Sequence, residues 1–145
     1  MRCYTCDKAD LVHEVKDIEH VYRGETLVIP SVEGDHCPAC GDVVLGDAEG
    51  DRVSNAMLEF NQKVNASIAS EIARTRKKLK LTQAGANRLF GGGVNAFSRY
   101  ERGKVLPPQS LVHLFRLLDR HPELLAEIKA PSHYETPHGD VLAYA

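Results

Sequence analysis

The chain has 145 residues, 43% of them hydrophobic and 26% charged, which excludes wholesale disorder and fibrous repeats and allows one ordinary domain or two small ones. No apolar run approaches the roughly 20 residues that span a bilayer, and no secretory signal pattern is apparent, so we expect a cytoplasmic protein with no membrane partner. Residues 1–66 hold 6 Lys and Arg against 13 Asp and Glu, whereas residues 67–130 hold 12 against 5. This division predicts two units with different partners, the basic one being a candidate for nucleic acid; attraction between the two halves is the alternative.

All four cysteines lie in the first forty residues as two C-x-x-C pairs, Cys3 with Cys6 and Cys37 with Cys40. In a cytosolic chain such pairs are typical of a metal site, because the reducing pool keeps structural disulfides rare. Four thiolates are the soft ligands of a closed tetrahedral Zn²⁺ site, which has no open position for water or substrate. The sequence therefore predicts one structural zinc ion per chain, with a redox cysteine pair or an iron–sulfur cluster as alternatives.

The segment between the two cysteine pairs predicts a small β-sheet. Residues 21–22 and 26–29 are β-rich runs on either side of a glycine turn, and residues 31–36 predict a further strand. A domain of about 65 residues with so few large apolar side chains has a marginal core, so a metal is expected to stabilise it. Residues 47–65 predict a helix with one packed side. Residues 65–67 are small and polar enough for a short linker, but Ala and Ser are not strong helix breakers, and the alternative is that the helix continues through them.

Residues 67–130 predict five short helices in quick succession. Thr82 is an N-cap candidate for the second helix, three glycines end that helix, and the third runs from Val94 to about Arg102. Five helices with a tight glycine turn between the second and third are the outline of a helix-turn-helix domain. The predicted fold class is therefore α+β, with a disordered tail over residues 131–145.

One face of the predicted third helix carries residues suited to reading DNA. Asparagine can bond bidentately to adenine and arginine to guanine, so we expect Asn95 and Arg99, one turn apart, to contact base edges in the major groove. Contacts with the DNA backbone are expected from the polar and basic residues around this pair: Thr82, Gln83, Ser98, Arg102, Lys77 and Lys80. The alternative is a solvated polar face on a structural helix.

The two cysteine pairs, the stretch Leu81-Thr82-Gln83 and the run FGGGVNAFSRYERG at residues 90–103 resemble the MqsA antitoxins of bacterial type II toxin–antitoxin systems. The resemblance covers residues 1 to about 130. It implies that residues 1–66 form a zinc-binding domain that engages the MqsR toxin, an mRNA-cleaving ribonuclease. It also implies that residues 67–130 form an Xre/Cro-like helix-turn-helix domain that dimerises and binds a palindrome in double-stranded DNA of the operon's own promoter. Asn95 and Arg99 occupy the family's base-reading positions.

Two departures from the family pattern stand out. Gly85 lies in the second helix, where the family usually has a better helix former, and residues 133–145 have no counterpart in the family.

From the resemblance we expect an antitoxin that represses its own operon as a homodimer; a stand-alone zinc-containing helix-turn-helix regulator is the alternative. An enzyme is disfavoured, because neither a catalytic triad arrangement nor an open metal site is apparent.

Overall fold

The computed structural model describes residues 1–130, 132–135 and 141–144. The chain divides into two compact units, Met1–Asn65 and Ala66–Ala145. The strands are β1 Val12–Tyr22, β2 Glu25–His36, β3 Val43–Val44, β4 Ser132–Glu135 and β5 Val141–Tyr144. The helices are α1 Asp47–Lys78, α2 Gln83–Phe90, α3 Ala96–Glu101, α4 Gln109–Arg120 and α5 Leu125–Lys129, and a short 3₁₀ turn, Pro122–Leu124, precedes α5. A sheet followed by helices confirms the predicted α+β class.

The first unit is built on a long antiparallel hairpin. Strands β1 and β2 pair from Val12 opposite His36 to Tyr22 opposite Glu25, and β3 adds two pairs at the end of β2. Arg23 and Gly24 at the hairpin tip have φ of 50° and 84°, the left-handed conformation that two-residue hairpin loops require. The predicted hairpin is present, but the further strand predicted at residues 31–36 is wrong, because these residues continue β2 past Pro30. The longer strand lets Val32–His36 pair with β1 and satisfies further backbone N–H and C=O groups.

The core of the first unit is small. Ile29 and Val32 of β2 pack against Val53 of α1, and partly buried aliphatic side chains surround these three. Arg52 of α1 donates hydrogen bonds of 3.2 Å to the carbonyl oxygens of Pro30 and Ser31, so a charged side chain covers this stretch of strand. So little buried apolar surface leaves the unit marginally stable without a further cross-link.

Helix α1 is continuous over 32 residues and passes through residues 65–67. The predicted linker at these positions is therefore wrong. Asn, Ala and Ser have neither proline's clash nor glycine's backbone freedom, so they do not end a helix. Val64 and Ile68 are both buried and lie four residues apart, so one apolar stripe runs across the predicted break. Among the described residues, no helix has the length and apolarity to cross a membrane.

The second unit contains the C-terminal part of α1 and helices α2 to α5. Its aliphatic core joins Leu79, Leu118 and Leu125, and Phe115 packs against Phe90 and Phe97 with ring centroids 5.0 and 5.6 Å away. Thr82 is the N-cap of α2, as predicted: its hydroxyl oxygen accepts a 2.9 Å hydrogen bond from the Gly85 N–H.

Two segments differ from the sequence expectation. Helix α3 begins at Ala96 rather than at Val94, because Asn95 adopts a left-handed φ of 61° and cannot continue a helix. The tail predicted as disordered contains β4 and β5, which pair antiparallel from Ser132 opposite Tyr144 to Glu135 opposite Val141. The pairing satisfies backbone groups in segments that include β-favouring Tyr and Val. Residues 131, 136–140 and 145 of the predicted tail lie outside the described residues.

Candidate functional sites

The four predicted ligand cysteines come together in the first unit, with all four Sγ atoms within 4.8 Å of one another. The Sγ atoms of Cys3 and Cys40 are 3.8 Å apart, and those of Cys6 and Cys37 are 3.7 Å apart. A tetrahedral ion with bonds of about 2.3 Å to sulfur places its ligands roughly 3.8 Å from each other. The cysteine set therefore fits a tetrahedrally coordinated metal ion, and these residues could hold one.

Two similar turns aim the thiols at this point. The Asp7 N–H donates to the Cys3 carbonyl and the Gly41 N–H to the Cys37 carbonyl, each at 3.0 Å. Asp7 and Gly41 both have positive φ, 51° and 77°, and each directly follows the second cysteine of its pair. The Thr5 hydroxyl also donates a hydrogen bond to the Asp42 carboxylate, which ties one turn to the other.

Backbone amides at the second turn affect thiol ionisation. Burial raises the pKa of Cys37, but hydrogen bonds from the Cys40 and Ala39 N–H groups outweigh it and lower this pKa to about 7. The Asp42 N–H favours the Cys40 thiolate, but burial and the other thiols oppose it and raise the pKa of Cys40 to about 12. Backbone N–H groups of the second turn thus favour the thiolate form of Cys37, which is the form that binds a metal ion.

An acidic cavity of about 380 Å³ lies beside the sheet of the first unit, and no sequence pattern predicted it. Carboxylates from Glu33, Asp35, Asp47 and Glu49 are among its lining residues. His13 lies 2.9 Å from Asp35 and 3.3 Å from Glu33, and hydrogen bonds to Asp35 and then Glu33 raise the pKa of His13. Four of the unit's carboxylates therefore share one open cavity that a cationic group could approach.

In the second unit, the two residues predicted to read bases lie together on an exposed surface. Asn95 is the N-cap residue of α3, and its side chain makes no capping hydrogen bond. The Arg99 N–H donates to the Asn95 carbonyl at 3.1 Å, so the two side chains leave the backbone one turn apart. Both are exposed, whereas Phe97 and Tyr100 on the opposite side of α3 are buried. This is the division into a packed face and a polar face that the spacing predicts.

The residues predicted to contact the DNA backbone are placed less uniformly. Lys77, in the last turn of α1, and Lys80, just beyond it, are exposed. Thr82 caps α2, and the side-chain amide of Gln83 donates to the Glu101 carboxylate, so these two side chains already have partners within the unit. Ser98 is half-buried, and its carbonyl accepts a 3.2 Å hydrogen bond from the Arg102 guanidinium.

A buried ion pair fixes α3 against α1, and the sequence analysis did not identify it. Arg76 pairs with Glu101, and the side chains are only 11% and 8% exposed. The Arg76 guanidinium also donates a 2.7 Å hydrogen bond to the Leu81 carbonyl. The start of α3 is held separately, because the Phe97 N–H donates to the Asn87 side chain at 2.9 Å. Partners 25 and 10 residues apart cannot be read from helical periodicity.

Comparisons with known proteins agree over nearly the whole chain. Residues 1–129 match the family model described as the antitoxin component of a bacterial toxin–antitoxin system, MqsA. The chain is 43% identical over 131 residues to antitoxin MqsA of Escherichia coli (strain K12), which covers 89% of this chain and all of that protein. A solved structure of the N-terminal domain of the E. coli protein MqsA is also similar, with a TM-score of 0.42 and 29% identity over 46% of this chain and 98% of that one.

Proposed function

Because this chain belongs to the family of MqsA antitoxins, we propose that it neutralises an MqsR-like mRNA-cleaving ribonuclease and represses transcription of its own operon. Toxin binding is assigned to residues 1–66 and DNA binding to residues 67–130. The observation that carries the proposal is that opposite charge and different chemistry lie in separate units. The first carries a balance of −7, and residues 67–130 carry +7. We assign both activities to the cytoplasm, where mRNA and promoter DNA are found.

Zinc is the proposed metal at Cys3, Cys6, Cys37 and Cys40, with one ion per chain. The sulfur spacing supports a tetrahedral site, and an all-thiolate set favours a soft ion such as Zn²⁺. When bound, zinc cross-links the two turns of the first unit. Because the buried core of the first unit is so small, this metal cross-link would contribute much of the unit's folding free energy. The role is structural, since four thiolates leave no position for a reacting molecule.

The basic half is proposed to act as a helix-turn-helix reader of double-stranded DNA. Asn95 and Arg99 would contact base edges, while Lys77, Lys80 and Arg102 would contact phosphates from exposed positions. Single modules of this kind gain affinity by pairing, so we assign a homodimer and a palindromic operator. Thr82 would act mainly by capping α2, and Gln83 by linking the start of α2 to Glu101 of α3, because these are the partners of their side chains.

The acidic half is proposed to attract a basic ribonuclease. Long-range attraction raises association rates and weakens as salt screens it. The cavity lined by Glu33, Asp35 and Glu49 supplies a dense negative surface on this unit for the encounter. Neutralisation follows if the bound toxin can no longer engage mRNA.

Co-expression of the full chain with an MqsR-like ribonuclease tests the proposal. The proposal expects a stable complex on affinity purification and restored growth of cells that express the ribonuclease. A variant with Arg99→Ala is the matched control, because it should lose operator preference and keep toxin neutralisation. Operator binding in a chain that neither binds nor neutralises such a ribonuclease would instead favour a stand-alone regulator.

A further inference from the structure

Val94 is, with Tyr4, one of the two most exposed large apolar side chains among the described residues. It is 84% exposed at the end of the loop between α2 and α3, so it contributes little to packing. Its neighbours Gly93 and Asn95 both have positive φ, 86° and 61°. Such turns favour glycine, asparagine, aspartate and serine, whose small or polar side chains are well solvated. A large aliphatic side chain here exposes apolar surface to water with no compensating contact in the fold.

We propose that Val94 determines sequence specificity by packing its methyl groups against the C5-methyl group of a thymine in the operator. The inference rests on the proposed DNA-binding function. Thymine presents the only apolar group among the base edges of the major groove, and it is recognised by apolar side chains. Val94 directly precedes Asn95 in the chain, and Arg99 follows one turn later. The three side chains would therefore combine one apolar contact with two hydrogen-bonding readouts along neighbouring base pairs.

The loop that presents Val94 is anchored on both sides. On the N-terminal side, a Cβ added to Gly92 would lie 2.9 Å from the Ala96 Cβ and the Tyr100 hydroxyl, so the backbone packs closely against α3. On the C-terminal side, the Ala96 N–H bonds to the Gly93 carbonyl at 3.3 Å, and Ala96 is buried. Valine is also stiff at χ1. An anchored backbone and a stiff side chain lose little entropy when they dock, which suits a specificity contact.

The test needs a duplex that the full-length protein itself selects from a random DNA pool. Each thymine of the selected half-site is then replaced by deoxyuridine, which removes only the C5-methyl group. Equilibrium dissociation constants are measured by fluorescence anisotropy for the wild type and for Val94→Ala. We expect one thymine at which deoxyuridine weakens wild-type binding about fourfold per half-site, the loss expected for one buried methyl group. At that thymine, Val94→Ala should show less than half of this sensitivity.

Val28→Ala is the matched control, because it shortens another exposed valine, 51% exposed on β2 of the first unit. It should keep the full deoxyuridine effect. Equal sensitivity of the wild type and Val94→Ala at every thymine would overturn the role of Val94 while leaving DNA binding intact. A wild type whose affinity is insensitive to every replacement of thymine by deoxyuridine would also overturn the role of Val94. Failure of the protein to select any sequence would instead overturn the proposed DNA-binding function.

Discussion

The buried ion pair between Arg76 and Glu101 makes a sharp prediction for stability. Replacing Arg76 with Met keeps most of the side-chain length but removes its charge. The Glu101 carboxylate, only 8% exposed, then keeps the hydrogen bond from the Gln83 side chain but loses its cationic partner. Removing one partner of a buried pair typically costs about 3–5 kcal/mol, and the hydrogen bond to the Leu81 carbonyl is lost as well. We therefore expect Arg76→Met to reduce the unfolding free energy of the second unit by at least ~3 kcal/mol. That is a large share of the 5–15 kcal/mol that holds a typical domain together.

Urea denaturation followed by circular dichroism at 222 nm measures this change. Arg74→Met is the matched control on the same helix, because Arg74 is 66% exposed and its 3.4 Å contact with Asp119 is solvated. Its effect should stay within about 1 kcal/mol. The double variant Arg76→Met, Glu101→Leu should be more stable than Arg76→Met alone, since it removes the orphaned charge. If Arg76→Met costs no more than Arg74→Met, the pair does not hold α3 in place.

Three further predictions follow from the two candidate sites and from α1. Metal analysis should find one Zn²⁺ per chain. The Cys37→Ala variant should lose the metal and the amide NMR dispersion of the first unit, while the second unit stays folded. A metal-free wild type with native amide dispersion would contradict the zinc assignment. Arg99→Ala should reduce the binding free energy for the operator by about 1–3 kcal/mol and relax the preference at one base pair, whereas Lys77→Ala should weaken binding to all sequences alike and reduce the salt dependence of the affinity. Fluorescence anisotropy at several salt concentrations measures both effects. Equal losses on operator and random DNA for Arg99→Ala would refute base readout. Hydrogen bonds from Arg52 and from the Glu33 N–H lower the pKa of Glu49 to about 2. The wild type should therefore be more stable than Glu49→Gln, fully so above the ordinary carboxyl pKa of 4.5, and this difference should vanish as the pH falls toward 2. Thermal melts that show the same difference at pH 7 and pH 2 would exclude this linkage.

The sequence was most informative where the constraint is local. Two C-x-x-C pairs admit few chemistries, so Cys3 and its three partners could be named before their sulfur atoms were seen to converge. Thr82 could be predicted as the N-cap because a threonine hydroxyl just before a helix commonly accepts a hydrogen bond from a backbone N–H of the first turn. The alternation of buried and exposed residues on α3 followed from helical geometry alone.

Features that depend on distant partners could not be predicted. Charge and period place Arg76 on a solvent face, and only the packing of α3 against α1 brings Glu101 to it. Local propensity permits either a helix or a linker at residues 65–67, and the buried Val64 and Ile68 on the two sides of this segment decide for a continuous α1. The left-handed conformation of Asn95 delays the start of α3, and asparagine is one of several residues that adopt it.

The central claim is that this chain neutralises a ribonuclease with a unit that does not read DNA. The most direct measurement is RNA cleavage by an MqsR-like ribonuclease, titrated with purified, zinc-loaded chain and followed on a fluorogenic RNA. Cleavage should fall to background at a fixed stoichiometric ratio, and the Arg99→Ala variant should give the same titration curve. Undiminished cleavage in the presence of excess folded chain would contradict the account, and so would neutralisation that Arg99→Ala abolishes.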